Sequence, residues 1–346
     1  MKIKINHKLQ FDSDGPPLLI AEISANHCGS KEKFLQHILS AKKNGADLVK
    51  IQTYEEDDMV VDKNYKIKSG LWKNKNLYNL YKKAKTPYSW HHDAFKLAKK
   101  ENICLFSTPF SIKAFKFLKK FNPSLYKISS FEITDLNLIN SVAKTKKPII
   151  ISTGLASLQE IRNAIKTIKK YHTKIVVLHC ISGYPTPLEE INLRKINYLK
   201  NKLKINFIGL SDHTKDIVAS SSASILGIAA IEKHFILNNK LKSPDSKFSI
   251  NPKNLKKLKK NINFNEIILG SKKFNLKVSE IPSLFFRRSI FAVKDINKKE
   301  KLTLQNIHCY RPNIGISADN YFKILGKKVK KNIKKNTPIK LSDIII

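Results

Sequence analysis

Two histidines stand at the ends of apolar runs, His213 in NFIGLSDH and His234 in AAIEKHF. Neutral imidazoles are good ligands for manganese, zinc or iron. Two of them with no third protein ligand nearby would leave coordination positions for water and substrate. The competing reading is a pair of hydrogen-bonded core histidines, and spacing alone does not separate the two. Lys50 in LVKIQTY and Lys127 in LYKISS lie inside apolar runs, where an unpaired charge is costly, so each is expected to meet an anion. A lysine so placed could instead form a Schiff base with a carbonyl substrate, as in an aldolase. Thr108, Ser130, Ser152, Ser182 and Ser211 also close such runs. Singly they read as helix caps; gathered around one opening they would supply donors for a phosphate. Glu22 in AEISANH, Glu132 in KISSFE and Asp245 in SPDS are candidate general bases or groups that orient a water. For Glu132 a capping or surface position is an equal reading.

The elements that must carry these groups are legible as a repeat. Apolar runs at 18–24, 47–54, 103–110, 124–130, 148–154, 175–182, 206–213 and 229–235 are each followed by a stretch with helical spacing, such as KEKFLQHILSAKKNG or LQEIRNAIKTIKKYH. Eight strand–helix units in order predict an α/β fold, a (β/α)8 barrel of the TIM type. Glu22, Gln52, Thr108, Ser130, Ser152, Ser182, Asp212 with His213, and His234 all fall at the C-terminal ends of the expected strands, the face on which barrel enzymes build their sites. Residues 55–90 form a long insertion after the second strand, containing GLWKNKNLYNLYKKAKTPYSWHH. An insertion at that face is expected to be a lid or substrate wall. The barrel is expected over residues 1–270, a polar linker over 271–284 and a small β-rich domain over 285–346.

Composition narrows the function classes. With 42% hydrophobic residues, 27% charged residues and a mean hydropathy of -0.31, the 346-residue chain can bury a large core and is not a disordered protein. No apolar run reaches the roughly 18 residues that span a bilayer, and the first residues lack the apolar core of a signal peptide, so a soluble cytoplasmic protein with no membrane partner is expected. Cys28, Cys104, Cys180 and Cys309 are too far apart for a CxxC motif and are expected to be reduced thiols. The formal net charge of +38 would ordinarily point to nucleic acid. Yet the only arginines are Arg162, Arg194, Arg287, Arg288 and Arg311, and lysines recur through nearly every expected helix. Base and phosphate readers favour the bidentate fork of Arg, so the charge reads as drift in residue usage rather than a nucleic-acid face. An anionic substrate is compatible with either.

Taken in order and spacing, AEISANHCGS, VKIQTY, FSTPF, YKISSFE, ISTG, HCISGYPTP, GLSDHT and IEKHF resemble the sialic acid synthase family, which condenses phosphoenolpyruvate with an open-chain amino sugar. RRSIFAVKDI and RPNIGI resemble the SAF (antifreeze-like) domain at the C-terminus of that family. The insertion GLWKNKNLYNLYKKAKTPYSWH, and Ser182 in HCISGYP, are similar to its pseudaminate branch rather than to its N-acetylneuraminate and legionaminate branches. Cys28 and Gly183 depart from the family pattern and are expected to alter the sugar pocket. The resemblance implies that His213 and His234 bind a divalent metal, manganese with magnesium or cobalt as alternatives. Lys50 and Thr108 would hold the carboxylate of phosphoenolpyruvate, and Lys127, Ser130, Ser152, Ser182 and Ser211 would surround its phosphate. Gln52, Tyr184 and Asp245 fit contacts to the sugar or to a metal-held water, while Glu22 and Glu132 fit acid–base roles. Arg311 would reach the sugar in the barrel of a partner subunit, because the family forms domain-swapped homodimers. A Schiff-base aldolase and a non-catalytic binder, of nucleic acid or of ice, are the rival classes.

Overall fold

A computed structural model describes residues 1–271 and 273–345. Two compact units divide the chain, Met1–Gly270 and Ser271–Ile346.

The first unit is a closed barrel of eight parallel strands: β3 (Leu18–Glu22), β4 (Leu48–Thr53), β5 (Cys104–Pro109), β6 (Tyr126–Ile128), β7 (Ile149–Ser152), β8 (Ile175–Cys180), β9 (Ile208–Asp212) and β10 (Ala230–His234), with β10 closing on β3. All eight fall within the apolar runs picked out above. Helices including α1 (Lys31–Lys43), α4 (Tyr88–Lys100), α7 (Leu158–Lys169) and α10 (Pro252–Leu269) pack outside. Three of these start on side-chain caps: Ser30 at α1, Ser157 with Glu160 in a capping box at α7, and Asn251 ahead of Pro252 at α10.

Side chains alternate across each strand, and that alternation sorts the barrel into two cores. Val49, Ile51, Leu105, Val177, Leu210 and Ile231 point outward into the layer shared with the helices. Ile20, Leu48, Phe106, Ile150, Val176 and Leu178 fill the interior. The inward series continues along the same strands as Glu22, Lys50, Gln52, Thr108, Lys127, Ser152, Cys180, Ser211 and Glu232, so the interior turns from apolar to ionisable toward the C-terminal ends. Register puts these groups side by side: Glu22 faces Lys50 across β3–β4, and Ser211 faces Glu232 across β9–β10. Gly209 permits this closeness, since a Cβ there would lie 2.3 Å from the Ala230 carbonyl oxygen.

An element not expected from sequence covers the apolar end. Strands β1 (Lys2–Lys4) and β2 (Gln10–Asp12) form an antiparallel hairpin, and its Ile3, Ile5 and Phe11 join the interior cluster. The insertion after β4 holds two short helices, α2 (Glu56–Met59) and α3 (Leu77–Ala84).

The second unit has its own apolar cluster, including Ile290, Leu302, Ile307, Val329 and Ile339. Strands β11 (Ser289–Ala292) and β12 (Ile307–Tyr310) pair antiparallel, and isolated bridges such as Phe291 to Pro338 and Ile296 to Ile333 hold much of the rest. The stretch expected to be a plain linker contains a 3-10 run, Val278–Phe286.

Candidate active site

A cavity of about 380 Å³ opens at the C-terminal ends of the strands. Of the residues singled out from sequence, Lys50, Gln52, Lys127, Ser130, Ser152, Tyr184, Ser211, His213, His234 and Asp245 line it.

The floor is an ion network. Glu232 on β10 is its hub: Lys127 Nζ donates to both carboxylate oxygens at 2.9 and 2.8 Å, Ser211 Oγ donates to Oε1 at 3.0 Å, and Lys50 Nζ lies 3.4 Å from Oε1. Lys50 also pairs with Glu22, whose other oxygen accepts from the Ser24 amide at 2.7 Å. Burial would raise Glu232, but the ammonium groups of Lys127 and Lys50 hold it well below the usual carboxylate range. Burial pushes Glu22 up to about 7 against the pull of Lys50. Lys50 is drawn down by burial, and its two carboxylates more than offset this, leaving it above its ordinary value. Lys127 is lowered by burial, which Glu232 does not fully offset. The network thus contains cations whose counter-charge an entering anion can share.

The two histidines sit on the same rim with ring centroids 5.5 Å apart. His213 Nδ1 lies 2.8 Å from the Ile181 carbonyl oxygen; a carbonyl only accepts, so Nδ1 carries the proton and Nε2 its lone pair. His234 Nδ1 is buried without a hydrogen-bond partner, 3.7 Å from an Asp245 oxygen. Burial lowers His213 to about 4, and burial with the neighbouring His213 puts His234 well below its ordinary value. Both are neutral near pH 7, the form that ligates a cation. No cluster of three His, Cys, Asp or Glu able to hold a metal occurs among the described residues. The two neutral imidazoles on one rim are a donor set that suits a divalent cation whose other positions are open to water and substrate.

The same cavity wall carries a cluster of hydroxyls. Ser130 and Ser182 are hydrogen-bonded at 2.9 Å, and the buried Ser152 hydroxyl has no partner. Gly154, at φ +37, keeps the pocket open: a Cβ would lie 2.3 Å from Ser130 Cβ and 2.5 Å from Ser182 Oγ. Asp245 is raised by burial. Burial likewise raises Glu132 to about 7, partly offset by a hydrogen bond from Ser129.

Several expected residues stand behind the surface or away from it. Thr108 is fully buried and accepts from Lys50 Nζ at 3.4 Å, so it props the lysine instead of facing the cavity. Glu22 likewise acts behind Lys50, the half-buried Ser182 bonds to Ser130 without lining the cavity, and Glu132 accepts from Ser129. Arg311 lies exposed in the second unit, directly after β12. Neither Cys28 nor Gly183 lines the cavity. Cys28 ends the turn Ser24–His27 in the left-handed region at φ 52, which aims its thiol at the Asn26 carbonyl 3.4 Å away. A Cβ on Gly183 would make only ordinary contact with Thr186. Glu232 was missed. Its signal was the one that exposed Lys50 and Lys127, a charge within an apolar strand, but it stands in the charged triplet Glu232, Lys233, His234, which reads as a solvated strand end.

Over residues 37–274 the chain matches the NeuB family, and over 287–345 the SAF domain. It is 41% identical to pseudaminic acid synthase of Campylobacter jejuni over 96% of this chain and 98% of that one. It is 35% identical to N,N'-diacetyllegionaminic acid synthase of the same organism, over 93% and 98%. The crystal structure of N-acetylneuraminic acid (sialic acid) synthetase from Leptospira borgpetersenii in complex with citrate is similar with a TM-score of 0.74 and 30% identity, covering 82% of this chain and 95% of that one.

Proposed function

The chain belongs to the NeuB family and carries a SAF domain, and on that premise we propose that it condenses phosphoenolpyruvate with 2,4-diacetamido-2,4,6-trideoxy-β-L-altropyranose and water to give pseudaminic acid and phosphate. The carrying observation is the buried ion network beside two neutral imidazoles in one cavity, on a chain more similar to a pseudaminic than to a legionaminic acid synthase.

Phosphoenolpyruvate brings a carboxylate and a phosphate to a floor that offers Lys50 and Lys127. Ser130, Ser152 and Ser211 turn hydroxyls toward the phosphate, with Ser182 and Thr108 fixing their neighbours. Gln52 and Tyr184 contact the sugar. His213 and His234 would hold a divalent cation, manganese with magnesium or cobalt as alternatives, which supplies Lewis-acid polarisation of the sugar aldehyde. C3 of phosphoenolpyruvate then bonds to the aldehyde carbon, where proximity does much of the work because an enol carbon is a weak nucleophile. The new alkoxide takes its proton from a wall residue backed by a carboxyl that titrates near neutrality, the Ser129 hydroxyl on Glu132 or the Lys50 ammonium on Glu22. A water adds its oxygen to C2 and gives a proton to Asp245. The C2 hydroxyl then becomes the ketone, passing its proton to the phosphate that departs with the bridging oxygen and whose charge is met by Lys127 and the hydroxyl ring, and a sugar hydroxyl closes on that ketone to give the cyclic acid.

The test is phosphate release from phosphoenolpyruvate, with the altrose-type diacetamido sugar, the legionaminate precursor and N-acetylmannosamine supplied in parallel, each with manganese and with EDTA. Turnover with the first sugar, lost in EDTA and restored by manganese, is expected. Turnover with another sugar alone overturns the branch, and silence with all three overturns the reaction.

Arg311 is proposed to act in trans, from the SAF domain of one subunit onto the sugar in its partner's barrel, in a domain-swapped homodimer. Its exposure and its retention in a lysine-dominated chain support this. Arg311→Ala is expected to lower kcat/KM for the sugar by about 10- to 100-fold, the worth of a charge-assisted contact. Mixing it with the barrel variant Lys127→Met should restore part of the activity through hybrid dimers. A mixture no more active than its parts refutes the arrangement.

A further inference from the structure

The cavity has two faces of opposite character, and only one is accounted for by the reaction. Every carboxylate, ammonium and imidazole that lines it comes from the barrel and its rim. The insertion contributes Tyr65, Ile67, Trp72 and one face of α3. On α3 the lining residues are Leu77, Leu80, Tyr81 and Ala84, the i, i+3, i+4, i+7 stripe of an amphipathic helix. Lys82 and Lys83 lie off that stripe. Such a stripe ordinarily packs on a core, yet no residue of α3 is buried. The roof is nevertheless held in place. Trp72 Nε1 donates to the Pro244 carbonyl at 3.3 Å, the Trp72 ring lies 5.8 Å from that of Tyr184, and Tyr81 packs edge-on against Tyr54.

We propose that the apolar stripe of α3, with Ile67 and Trp72, is the specificity surface for the sugar, seating a methyl at C6 and the methyls of the acetamido groups and rejecting hexosamines that carry hydroxyls there. The proposal rests on the reaction assigned above. The floor takes the anion and the reacting carbons, so the remainder of the sugar lies under the roof. A methyl or acetamido group there completes the burial of a stripe whose four residues are left only half-buried. A hydroxyl in the same place loses water and finds no side-chain donor or acceptor on α3 in exchange, except the phenol of Tyr81. The roof thus selects for deoxygenated, acylated sugars as a class and is indifferent to which epimer is presented.

Leu80 tests this without endangering the fold, being part of no core. Leu80→Ser is expected to lower kcat/KM for the diacetamido-trideoxy sugar about tenfold or more, through KM, and to narrow its advantage over N-acetylmannosamine by a similar factor, the scale of a small apolar contact in a specificity pocket. KM for phosphoenolpyruvate should not move, and Leu80→Met should behave as the parent protein does. An unchanged kcat/KM for the diacetamido sugar in Leu80→Ser, or an equal loss for both sugars, overturns the proposal while leaving the reaction standing. Absence of turnover in the parent protein with every sugar overturns the reaction and this reading with it.

Discussion

Glu232→Gln is expected to lower the stability of the ligand-free protein by about 3–5 kcal/mol, the usual consequence of removing one partner from a buried charge cluster. The cause is that Glu232 serves two cations. Lys127 has both carboxylate oxygens within 2.9 Å, and Lys50 lies 3.4 Å from one of them. With the carboxylate gone, two buried ammonium groups share Glu22 alone. Lys127→Met is expected to cost much less, because Glu232 keeps Lys50 and the Ser211 hydroxyl at 3.0 Å, and a thioether chain fills the space of a lysine that burial already disfavours. Both variants should lose phosphate release by about 100-fold or more, one through misplaced cations and the other through lost stabilisation of the leaving phosphate. Phosphoenolpyruvate separates the two in thermal melts. Its negative charge replaces the missing carboxylate, so it should raise the melting midpoint of Glu232→Gln more than that of the parent, and that of Lys127→Met less. Equal stability losses in the two variants, or no added protection of Glu232→Gln, would show that Glu232 is not the shared anchor.

That asymmetry also explains what could be read from sequence. Lys50 and Lys127 were legible because each interrupts an apolar strand, and the eight-fold strand–helix repeat located the face they serve. The same period-two argument applies to Glu232, but recognising it requires knowing that Lys233 turns outward while its neighbours turn in, which the closed barrel imposes. Thr108 and Glu22 were found as residues of the site, whereas their depth was not. Whether a side chain touches a ligand or props one that does depends on strand register, such as the pairing of Glu22 with Lys50. The N-terminal hairpin left almost no local signal, since three-residue strands in a lysine-rich segment become strands only through the barrel end that receives Ile3 and Phe11. Residues 55–90 were legible as an insertion over the site. The stripe Leu77, Leu80, Tyr81 and Ala84 was visible in principle, but a helical stripe in a sequence does not say whether it meets a core or a ligand.

Lys233→Met is expected to be the most damaging single change on the outer side of the barrel wall. Lys233 and Asp212 are fully buried and paired at 3.0 Å, directly opposite each other in the β9–β10 register. Asp212 accepts from the Thr214 amide at 2.8 Å and from the Ser220 hydroxyl at 2.5 Å, while Lys233 donates to the Thr214 carbonyl at 2.6 Å. These bonds close the turn that begins with His213, and Lys233 precedes His234. Burial would raise Asp212, but Lys233 holds it below its ordinary value; burial lowers Lys233, and Asp212 only partly restores it. Removing the lysine strands a buried carboxylate at a cost of about 3–5 kcal/mol. Replacing both, as Asp212→Leu with Lys233→Met, should cost less than the sum of the singles, because an apolar pair does not need the counter-charge. A double-mutant cycle by denaturant unfolding should therefore return a coupling of about 2 kcal/mol or more. The hydrogen bonds to the Thr214 backbone and the Ser220 hydroxyl are not replaced by the apolar pair, so the turn holding His213 should stay loose. The double variant is accordingly expected to regain stability without regaining manganese affinity, measured by titration of the free ion. Recovery of both together would mean that the ion pair holds only the strands, and additive single effects would mean that it holds neither.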